Sequence, residues 1–297
     1  MSPGELAYAV VTPVRDEAEN LPRLADALVA QTARPATWLI VDNGSRDGTR
    51  ELAAALADAH PWIRLVVDDP GTRLERGGPI TRAFMQGVDA LAAPVDVVVK
   101  LDADVSFGPD YFALLLEAFA ADPVLGIASG SCWERDAEGV WRQHFGTGDT
   151  TVWGASRAYR WDCLQDVLPL EERMGWDGID ALRAARLGWS TRTLLDVPFR
   201  HHRREGERDG RRTRVAHPRQ RGALHALPPD LPGRPHALPR APRAAALAML
   251  AGYAEAAARG EARCADVESL AIMREEQRLR ALPRRFVEAS GRIRTAA

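Results

Sequence analysis

The chain has 297 residues with 46% hydrophobic and 27% charged side chains, a composition that suits one large globular domain with an appendage and excludes a disordered, collagen-like or coiled-coil chain. The net charge of -2 disfavours a nucleic-acid partner, and three cysteines without a CxxC pair support neither a disulfide framework nor a structural zinc site. Because no apolar run of about 18 residues occurs and no signal-peptide pattern opens the chain, we expect a cytoplasmic protein with at most peripheral contact with the inner face of a membrane.

Short β-rich runs alternate with longer helical patterns in the N-terminal third, which predicts an α/β fold with a mostly parallel central sheet flanked by helices. The predicted strands cover residues 7–12, 38–42, 64–67 and 97–101. Apolar residues at helical spacing predict one helix behind Asn20 as N-cap, a second after Ser45 and Asp47, and a third from Pro79. Ligands of such sheets lie at the carboxyl ends of the strands, so the polar residues there are candidate site residues.

Polar residues follow three of these strands. In chain order they are Thr12 and Pro13, Asp42 and Asn43, and Asp102 and Asp104. Because parallel strands end at one edge of a sheet, we expect these positions to lie together. For residues 42–48 the alternative is a turn with a helix cap, since Asn-Gly and Asp-Gly suit turns in any protein.

Asp102 and Asp104 form a DxD pair behind the apolar run 97–99. Residues i and i+2 at a strand end point to the same side, so both carboxylates can approach one divalent cation and, through it, a diphosphate. The alternative is an acidic cap for a helix over residues 111–119.

Six segments, each weak alone, occur in one order over about two thirds of the chain. They are VTPVRDE at 11–17, IVDNGSRDGT at 40–49, RGGP at 76–79 with Arg82, KLDAD at 100–104, GAS at 154–156 before Tyr159 and Arg160, and WDGIDALR at 176–183 before Gly188 and Trp189. In this order the sequence resembles family 2 glycosyltransferases, inverting enzymes of the Rossmann-like GT-A fold. The resemblance implies that fold for residues 1–202. It also implies metal-dependent transfer of a sugar from a UDP-, GDP- or dTDP-sugar to a hydroxyl acceptor, such as a glycan or a lipid-linked intermediate.

The resemblance implies a role for each matching residue. The residues that would contact the nucleotide-sugar are Thr12, Pro13, Glu17, Asp42, Asn43, Gly78, Arg82 and Asp102. A carboxylate at Asp42 would accept a hydrogen bond from the base, and Gly78 would let the backbone come close to the nucleotide. Asp104 would hold Mn²⁺ or Mg²⁺, which neutralises charge on the departing nucleoside diphosphate.

The family's catalytic aspartate falls at Asp177, which is therefore the general base that the resemblance implies. Trp176 stands where the family usually has a glutamate. A cap for a helix over residues 179–186 is the alternative for Asp177, and Asp180 is the substitute base.

A further metal ligand is implied in the same region. His201 and His202 follow a β-like run over residues 193–199. This run would end near the edge of the sheet where Asp104 would hold the metal. Neutral imidazole suits Mn²⁺, and His201 is the predicted ligand of the two. The alternative is a pair of surface histidines at the start of an Arg-rich loop.

The part of the chain after residue 202 changes character. Residues 200–243 hold twelve arginines against four acidic residues, and residues 217–243 hold seven of the twenty prolines without helical or strand periodicity. We predict an Arg- and Pro-rich loop or linker over 203–243, extended or poorly ordered, and hypothesise that residues 215–243 were read in a shifted frame. Helical spacing predicts a C-terminal helical appendage over 244–297.

Two other functions fit parts of the sequence. DADVS at 102–106 also resembles the nucleophile loop of haloacid dehalogenase-type phosphohydrolases, although that loop belongs on the first strand of its domain and this one follows the fourth. The other is a non-catalytic nucleotide-sugar-binding module on the same fold, suggested by the departure at Trp176. Metal-dependent turnover that is lost on substitution of the DxD pair separates the enzyme from the module.

Overall fold

The computed structural model describes residues 6–68, 78–136, 138–143, 152–172 and 175–203, with the single residues 258, 266, 268 and 271. The described strands are β1 (Tyr8–Val14), β2 (Thr37–Asn43), β3 (Ile63–Asp68), β4 (Val97–Leu101), β5 (Val105–Phe107), β6 (Leu125–Arg135), β7 (Trp141–Gln143), β8 (Ser156–Arg160) and β9 (Ser190–His201). The described helices are α1 (Leu21–Val29), α2 (Thr49–Ala59), α3 (Gly78–Asp89), α4 (Tyr111–Ala121), α5 (Trp161–Val167) and α6 (Trp176–Arg186). These strands form one sheet in the order β3-β2-β1-β4-β8-β6-β9-β5, with β7 paired to β6.

The two halves of the sheet differ in strand direction. β3, β2, β1 and β4 are parallel neighbours, whereas β8 runs antiparallel to both β4 and β6. From β1 the chain passes to β2 and β3 on one side, and it then returns to β4 on the other side of β1. Such a reversal opens a crevice at the carboxyl ends of β1 and β4, which is where open α/β sheets bind their ligands.

Helices cover both faces of this sheet. On one face α1 and α4 bury leucines and aromatic residues against Tyr8 and Val10 of β1, and on the other face α3, α5 and α6 pack against Ala9 and Val11. Alternate residues of one strand therefore enter two separate apolar clusters. Burial of both faces leaves the strand ends as the place for polar side chains.

The predicted α/β architecture is confirmed, and the four predicted strands occur with ends within two residues of those expected. Asn20 occupies the N-cap position of α1, but its side chain donates to Glu17 instead of capping the helix. α2 begins at Thr49 behind Gly48, which is in the left-handed conformation, and not directly behind Ser45 or Asp47. The predicted strands do not include β6 or β8, and they also omit the short strands β5 and β7, because three residues are too few to show alternation.

The chain divides into two compact units, Met1–Arg204 and Glu205–Ala297. Apart from Arg203 and the isolated positions, the predicted linker over 203–243 and the predicted helices in 244–297 fall outside the described residues, and they stay predictions, as does the shifted frame. No helix among the described residues has the length and apolar character needed to cross a bilayer.

Candidate active site

The loops that follow β1 and β2 are joined into one rim. The backbone N–H of Glu17 donates to Thr49 Oγ1 over 2.8 Å, and that of Ala18 donates to Asp47 Oδ2 over 3.0 Å. Residues after the first strand are therefore held by the side chain of Thr49, the first residue of α2, and by that of Asp47 in the loop before it. The turn residues predicted as helix-cap signals serve here to bind the neighbouring loop.

The DxD pair lies at the same rim. The register pairs Val11 of β1 with Lys100 of β4, and Val14 of β1 with Asp42 of β2. Asp102 therefore lies just past the end of β4, one residue short of the level of Asp42. The DxD pair and Asp42 therefore lie at the same edge of the sheet, with β1 between the strands that carry them.

Asp42 and Asn43 are buried at the end of β2. The Asp42 carboxylate accepts hydrogen bonds from Arg50 Nε at 2.6 Å and from the N–H of Ser45 at 3.2 Å. Asn43 donates to the carbonyl of Pro79 at 3.4 Å, whereas its buried Oδ1 has no hydrogen-bond partner among the described residues. Because a buried acceptor without a donor is costly, a ligand N–H would be stabilised at this position.

Thr12 and Pro13 lie within β1, which is longer than predicted. Thr12 is fully buried, and its hydroxyl accepts a hydrogen bond from the indole N–H of Trp38 at 2.9 Å. Pro13 is partly exposed. The structure therefore uses the Thr12 hydroxyl to hold Trp38 in the core and leaves Pro13 at the rim.

Gly78 and Arg82 lie on α3 and contact the segment at Glu172. A Cβ at Gly78 would lie 2.6 Å from the carbonyl oxygen of Glu172, so close packing of the chain accounts for this glycine. Arg82 is half-exposed, and its Nη1 lies 2.6 Å from the Glu172 carboxylate. Both residues therefore contact Glu172, and among the described residues no hydrogen bond or ion pair joins either of them to the DxD pair.

A buried lysine connects the DxD pair with a neighbouring loop. Lys100 is 3% exposed, and its ammonium group donates to Asp102 Oδ1 and, over 2.8 Å, to the carbonyl of Gly154. The same ammonium lies 5.7 Å from the ring centre of Trp176. Desolvation raises the pKa of Asp102, although the charge of Lys100 opposes this shift. One cation therefore fixes the first carboxylate of the pair.

The second carboxylate, Asp104, faces two basic side chains. Its Oδ1 lies 3.4 Å from His201 Nε2, and its Oδ2 lies 3.7 Å from Arg203 Nη1. Burial alone would raise the pKa of Asp104, but the hydrogen bond and charge of His201 and the charge of Arg203 outweigh burial and lower it. Arg203 also donates two hydrogen bonds of 2.8 and 2.7 Å to Glu17, which links the DxD pair to the loop after β1.

His201 lies between two carboxylates. Its Nδ1 is 2.7 Å from Glu134 Oε1, and its Nε2 faces Asp104. Burial would lower the pKa of His201, but the hydrogen bonds to Asp104 and Glu134 raise it to about 10. Its neighbour His202 turns instead to Ser106, with Nε2 2.7 Å from the hydroxyl oxygen. Of the two histidines, His201 is therefore the one that faces the DxD pair.

Asp177 lies in the first turn of α6, beside Gly154. The N-cap of α6 is Gly175, so Asp177 does not cap the helix. A Cβ at Gly154 would lie 3.1 Å from Asp177 Oδ2. Because the carbonyl of Gly154 also accepts from Lys100, the predicted base and the DxD pair meet at the same loop.

A buried ion pair supports the start of α6. Arg157 is fully buried, donates to Asp180 at 2.9 and 2.6 Å, and donates to the carbonyl oxygens of Asp177 at 2.8 Å and Val152 at 2.6 Å. The hydroxyl of Tyr159 also donates to Asp180, whose pKa burial raises to about 6. Asp180 is therefore occupied by this network, which leaves Asp177 as the aspartate beside the site.

Sequence reasoning missed several charged residues of this site, namely Lys100, Glu134 and Arg157. Lys100 offered a signal, because it is the single lysine among 39 basic residues. Glu134 and Arg157 carry no motif of their own, since their roles depend on the pairing of β6 with β9 and of β4 with β8.

Comparison with known proteins identifies the family. A profile described as "Glycosyl transferase family 2" matches residues 9–169, which is more than half of the chain. The chain belongs to glycosyltransferase family 2. Membership confirms the predicted family and enzyme class, and it removes the phosphohydrolase alternative.

This glycosyltransferase is similar to three curated proteins, and the share of each chain that aligns differs among them. It is 32% identical to glycosyltransferase AglE of Haloferax volcanii over 89 residues, which span 27% of this chain and 29% of AglE. It is 30% identical to undecaprenyl-phosphate mannosyltransferase of Micrococcus luteus over 66% of this chain and 83% of that protein. It is 32% identical to polyprenol monophosphomannose synthase of Mycolicibacterium smegmatis over 66% of this chain and 77% of that protein.

Solved structures are similar in fold. A mannosyltransferase from Pyrobaculum calidifontis in complex with GDP-Man and Mn²⁺ aligns with a TM-score of 0.55 at 18% identity, covering 96% of this chain and 86% of that one. GalNAc-T7 with UDP, GalNAc and Mn²⁺ aligns with a TM-score of 0.53 at 14% identity, covering 67% and 43%. At these identities the likeness concerns the fold alone, and it confirms the predicted GT-A fold.

Proposed function

We propose that this glycosyltransferase moves a sugar from a nucleoside-diphosphate sugar to an acceptor hydroxyl with inversion, holds a divalent cation at Asp104 and His201, and uses Asp177 as general base. The observation that carries the proposal is the 3.4 Å separation of His201 Nε2 from Asp104 Oδ1. Arg203 joins Asp104 to Glu17 in the loop after β1, which supports a place for this pair near the carboxyl ends of β1 and β4. A cation there would lie next to a diphosphate bound in the crevice.

The residues present fit a divalent cation. Two ligand atoms that are each about 2.1 Å from one ion lie about 3.0 to 3.4 Å apart, and the observed separation is 3.4 Å. A carboxylate oxygen with an imidazole nitrogen suits Mn²⁺ better than Mg²⁺, which prefers oxygen ligands. Glu134 binds the other ring nitrogen of His201, as carboxylates commonly do at metal-bound histidines. When bound, the cation would offset negative charge on the departing diphosphate.

Residues of the chain itself would hold the rest of the donor. The buried carboxylate of Asp42 and the unpartnered, buried Oδ1 of Asn43 would accept from the N–H groups of a nucleobase once the half-exposed Arg50 moves away from Asp42. Arg203 would donate to the diphosphate, because its guanidinium already reaches both Glu17 and Asp104 across the rim.

Asp177 would receive the acceptor's proton. In an inverting transfer the acceptor oxygen bonds to the anomeric carbon as the bond from that carbon to the diphosphate oxygen breaks, and the hydroxyl proton passes to the base. Arg157 holds the carbonyl of Asp177, and Lys100 binds both the loop beside it and Asp102. The base and the donor site therefore share one rigid support.

A polyprenyl phosphate is a second candidate acceptor, favoured by the two relatives whose names specify polyprenol-linked mannose transfer. A phosphate monoester has its second pKa at about 6, so its oxygen is ionised at neutral pH and needs no general base. The two acceptors thus make different demands on Asp177. GDP-mannose is the first donor to test, because the structural neighbour from Pyrobaculum calidifontis contains GDP-Man with Mn²⁺.

The test is a thermal-shift screen of UDP-, GDP- and dTDP-sugars with and without Mn²⁺, followed by a transfer assay with the best donor. We expect transfer that requires Mn²⁺ or Mg²⁺ and is lost in Asp102→Ala and Asp104→Ala. Asp58→Ala, at an exposed position of α2, is the matched control and should keep full activity. Transfer that continues in EDTA would contradict the metal site, and tight donor binding without turnover would support the non-catalytic module.

A further inference from the structure

A cysteine and a carboxylate reach the imidazole of His201 from the neighbouring strand. Cys132 and Glu134 are two residues apart on β6, so their side chains point to the same side of the sheet. β6 runs parallel to β9 and pairs Trp133 with Arg200, which brings Glu134 level with His201. One ligand atom from each of Cys132, Glu134 and His201 lies within 4.8 Å of the others.

The two ring nitrogens of His201 face different groups. Nε2 faces Asp104 at 3.4 Å, which is the proposed catalytic metal position. Nδ1 faces Glu134 Oε1 at 2.7 Å, and the side chains of Glu134 and Cys132 project from the same side of β6. Cys132 is fully buried, while the side chains of Glu134 and His201 are 13% exposed, so a cation could enter past the latter two.

We propose that Cys132, Glu134 and His201 Nδ1 form a second cation site, selective for a thiophilic divalent ion such as Zn²⁺, whose occupation removes His201 from the catalytic metal. The competition part of this proposal rests on the proposed function, whereas the site itself does not. Residues separated by 67 positions, as Glu134 and His201 are, give no metal-binding motif in the sequence.

The chemistry of the donor set decides the ion. Thiolate, imidazole and carboxylate are the ligands of protein zinc sites, and three protein ligands leave a fourth position for water. Mn²⁺ prefers oxygen donors and gains little from a thiolate. Binding releases the proton of the Cys132 thiol and the proton of His201, so that sulfur and nitrogen each offer a lone pair.

The geometry requires only small shifts. Ligand atoms about 2.0 to 2.3 Å from a tetrahedral ion lie about 3.3 to 3.6 Å apart. The Glu134–His201 contact of 2.7 Å would have to open by about 0.7 Å, and Cys132 Sγ would have to approach by at most about 1.3 Å. A neutral imidazole has one free lone pair, so zinc at Nδ1 leaves a proton on Nε2 and removes that atom as a ligand of the catalytic ion.

The test uses the full chain with Co²⁺ as the probe, because cobalt bound to a thiolate absorbs in the near ultraviolet by charge transfer from sulfur. We expect this band in the unmodified chain and its displacement by Zn²⁺. The band should be absent in Cys132→Ser and should remain in the double variant Cys163→Ser, Cys264→Ser, which retains Cys132 as its single thiol. Glu134→Gln should weaken Co²⁺ binding about tenfold or more, and circular dichroism checks that each variant is folded.

A cobalt band that persists in folded Cys132→Ser, or bound Co²⁺ without a thiolate band in the unmodified chain, would overturn the site. In the transfer assay, micromolar Zn²⁺ should inhibit the Mn²⁺-supported reaction, and Cys132→Ser should need at least about tenfold more Zn²⁺ for half inhibition relative to its own zinc-free rate. Equal zinc sensitivity of the two proteins would overturn the competition. If the proposed function fails, transfer is absent while the cobalt band remains, so the two failures can be told apart.

Discussion

The proposed nucleotide side of the site, which holds Glu17 and Asp42, and its proposed base side, around the general base Asp177, neutralise their carboxylates in different ways. On the nucleotide side, Asp42 pairs with Arg50, whose side chain is 41% exposed, and Glu17 pairs with Arg203, whose side chain is 25% exposed. On the base side, Arg157 and Asp180 are both fully buried. A partly exposed cation can exchange its partner for water or a ligand, whereas a buried pair cannot separate without leaving an uncompensated charge. The first arrangement suits binding and release, and the second suits a fixed geometry.

The largest effect should come from replacing Asp177, the proposed general base. Asp177→Asn should lower the rate constant of transfer to a hydroxyl acceptor by about 10²- to 10⁴-fold, because the amide cannot take the proton, and should leave donor affinity within about twofold. Steady-state kinetics and donor titration measure the two quantities. With a polyprenyl phosphate acceptor the loss should be less than about tenfold, since that oxygen is already ionised. A full rate with a hydroxyl acceptor would remove Asp177 from the mechanism.

The buried ion pair gives the next effect. Arg157→Met should lower the free energy of unfolding by about 3 to 5 kcal/mol, because it leaves Asp180 buried without its cation. Arg192→Met is the control, since Arg192 pairs with Asp122 at the surface with 46% of its side chain exposed, and should cost less than about 1 kcal/mol. Chemical denaturation measures both. Equal losses would show that burial of the Arg157–Asp180 pair does not raise the cost of breaking it.

The two sides also differ in how far the sequence predicts them. Asp42 lies at the end of a strand with a clear hydrophobic pattern, and Asp102 and Asp104 follow another, so chain order and the behaviour of parallel sheets predict them at one edge of the sheet. The sequence does not predict that the Thr12 hydroxyl binds the indole of Trp38, because the predicted strand ends at residue 12 and β1 continues to Val14, which places Thr12 inside the strand. Glu134 is not predicted as a site residue for another reason. Its partner His201 is 67 residues away in sequence, and the pairing of β6 with β9 brings the two side chains together.

Lys100 connects the two sides, so its replacement tests whether they depend on each other. Lys100→Met should lower transfer about 10- to 100-fold, since Asp102 and the loop at Gly154 lose their common donor. Lys100→Arg should recover part of the rate, because a guanidinium retains the charge. Separate values of kcat and donor KM reveal which side suffers. An unchanged kcat with raised KM would confine Lys100 to donor binding and contradict its link to the base.

The last prediction concerns stability and pH in the absence of metal. The pKa of His201 is raised to about 10 from an ordinary 6.5, so the protonated form stabilises the fold below pH 6.5 and that stabilisation is lost as the pH rises through 10. Between pH 7 and 10 the free energy of unfolding should fall by at most about 1.4 kcal/mol per pH unit from this group. Urea unfolding in EDTA should show no such fall in His201→Gln, which lacks the group. His202→Gln is the control and should keep the fall, because it retains His201 and burial lowers the pKa of His202 to about 4. Identical slopes in the two variants would refute the assignment.

The most direct test of whether Asp104 and His201 act as one cation site is a titration of the full chain with Mn²⁺, in which electron paramagnetic resonance measures the concentration of free ion. Asp104→Asn and His201→Gln should each bind Mn²⁺ at least about tenfold more weakly than the unmodified chain, with Asp58→Asn as the unaffected control. Mn²⁺ affinity that is unchanged in both variants would contradict the account.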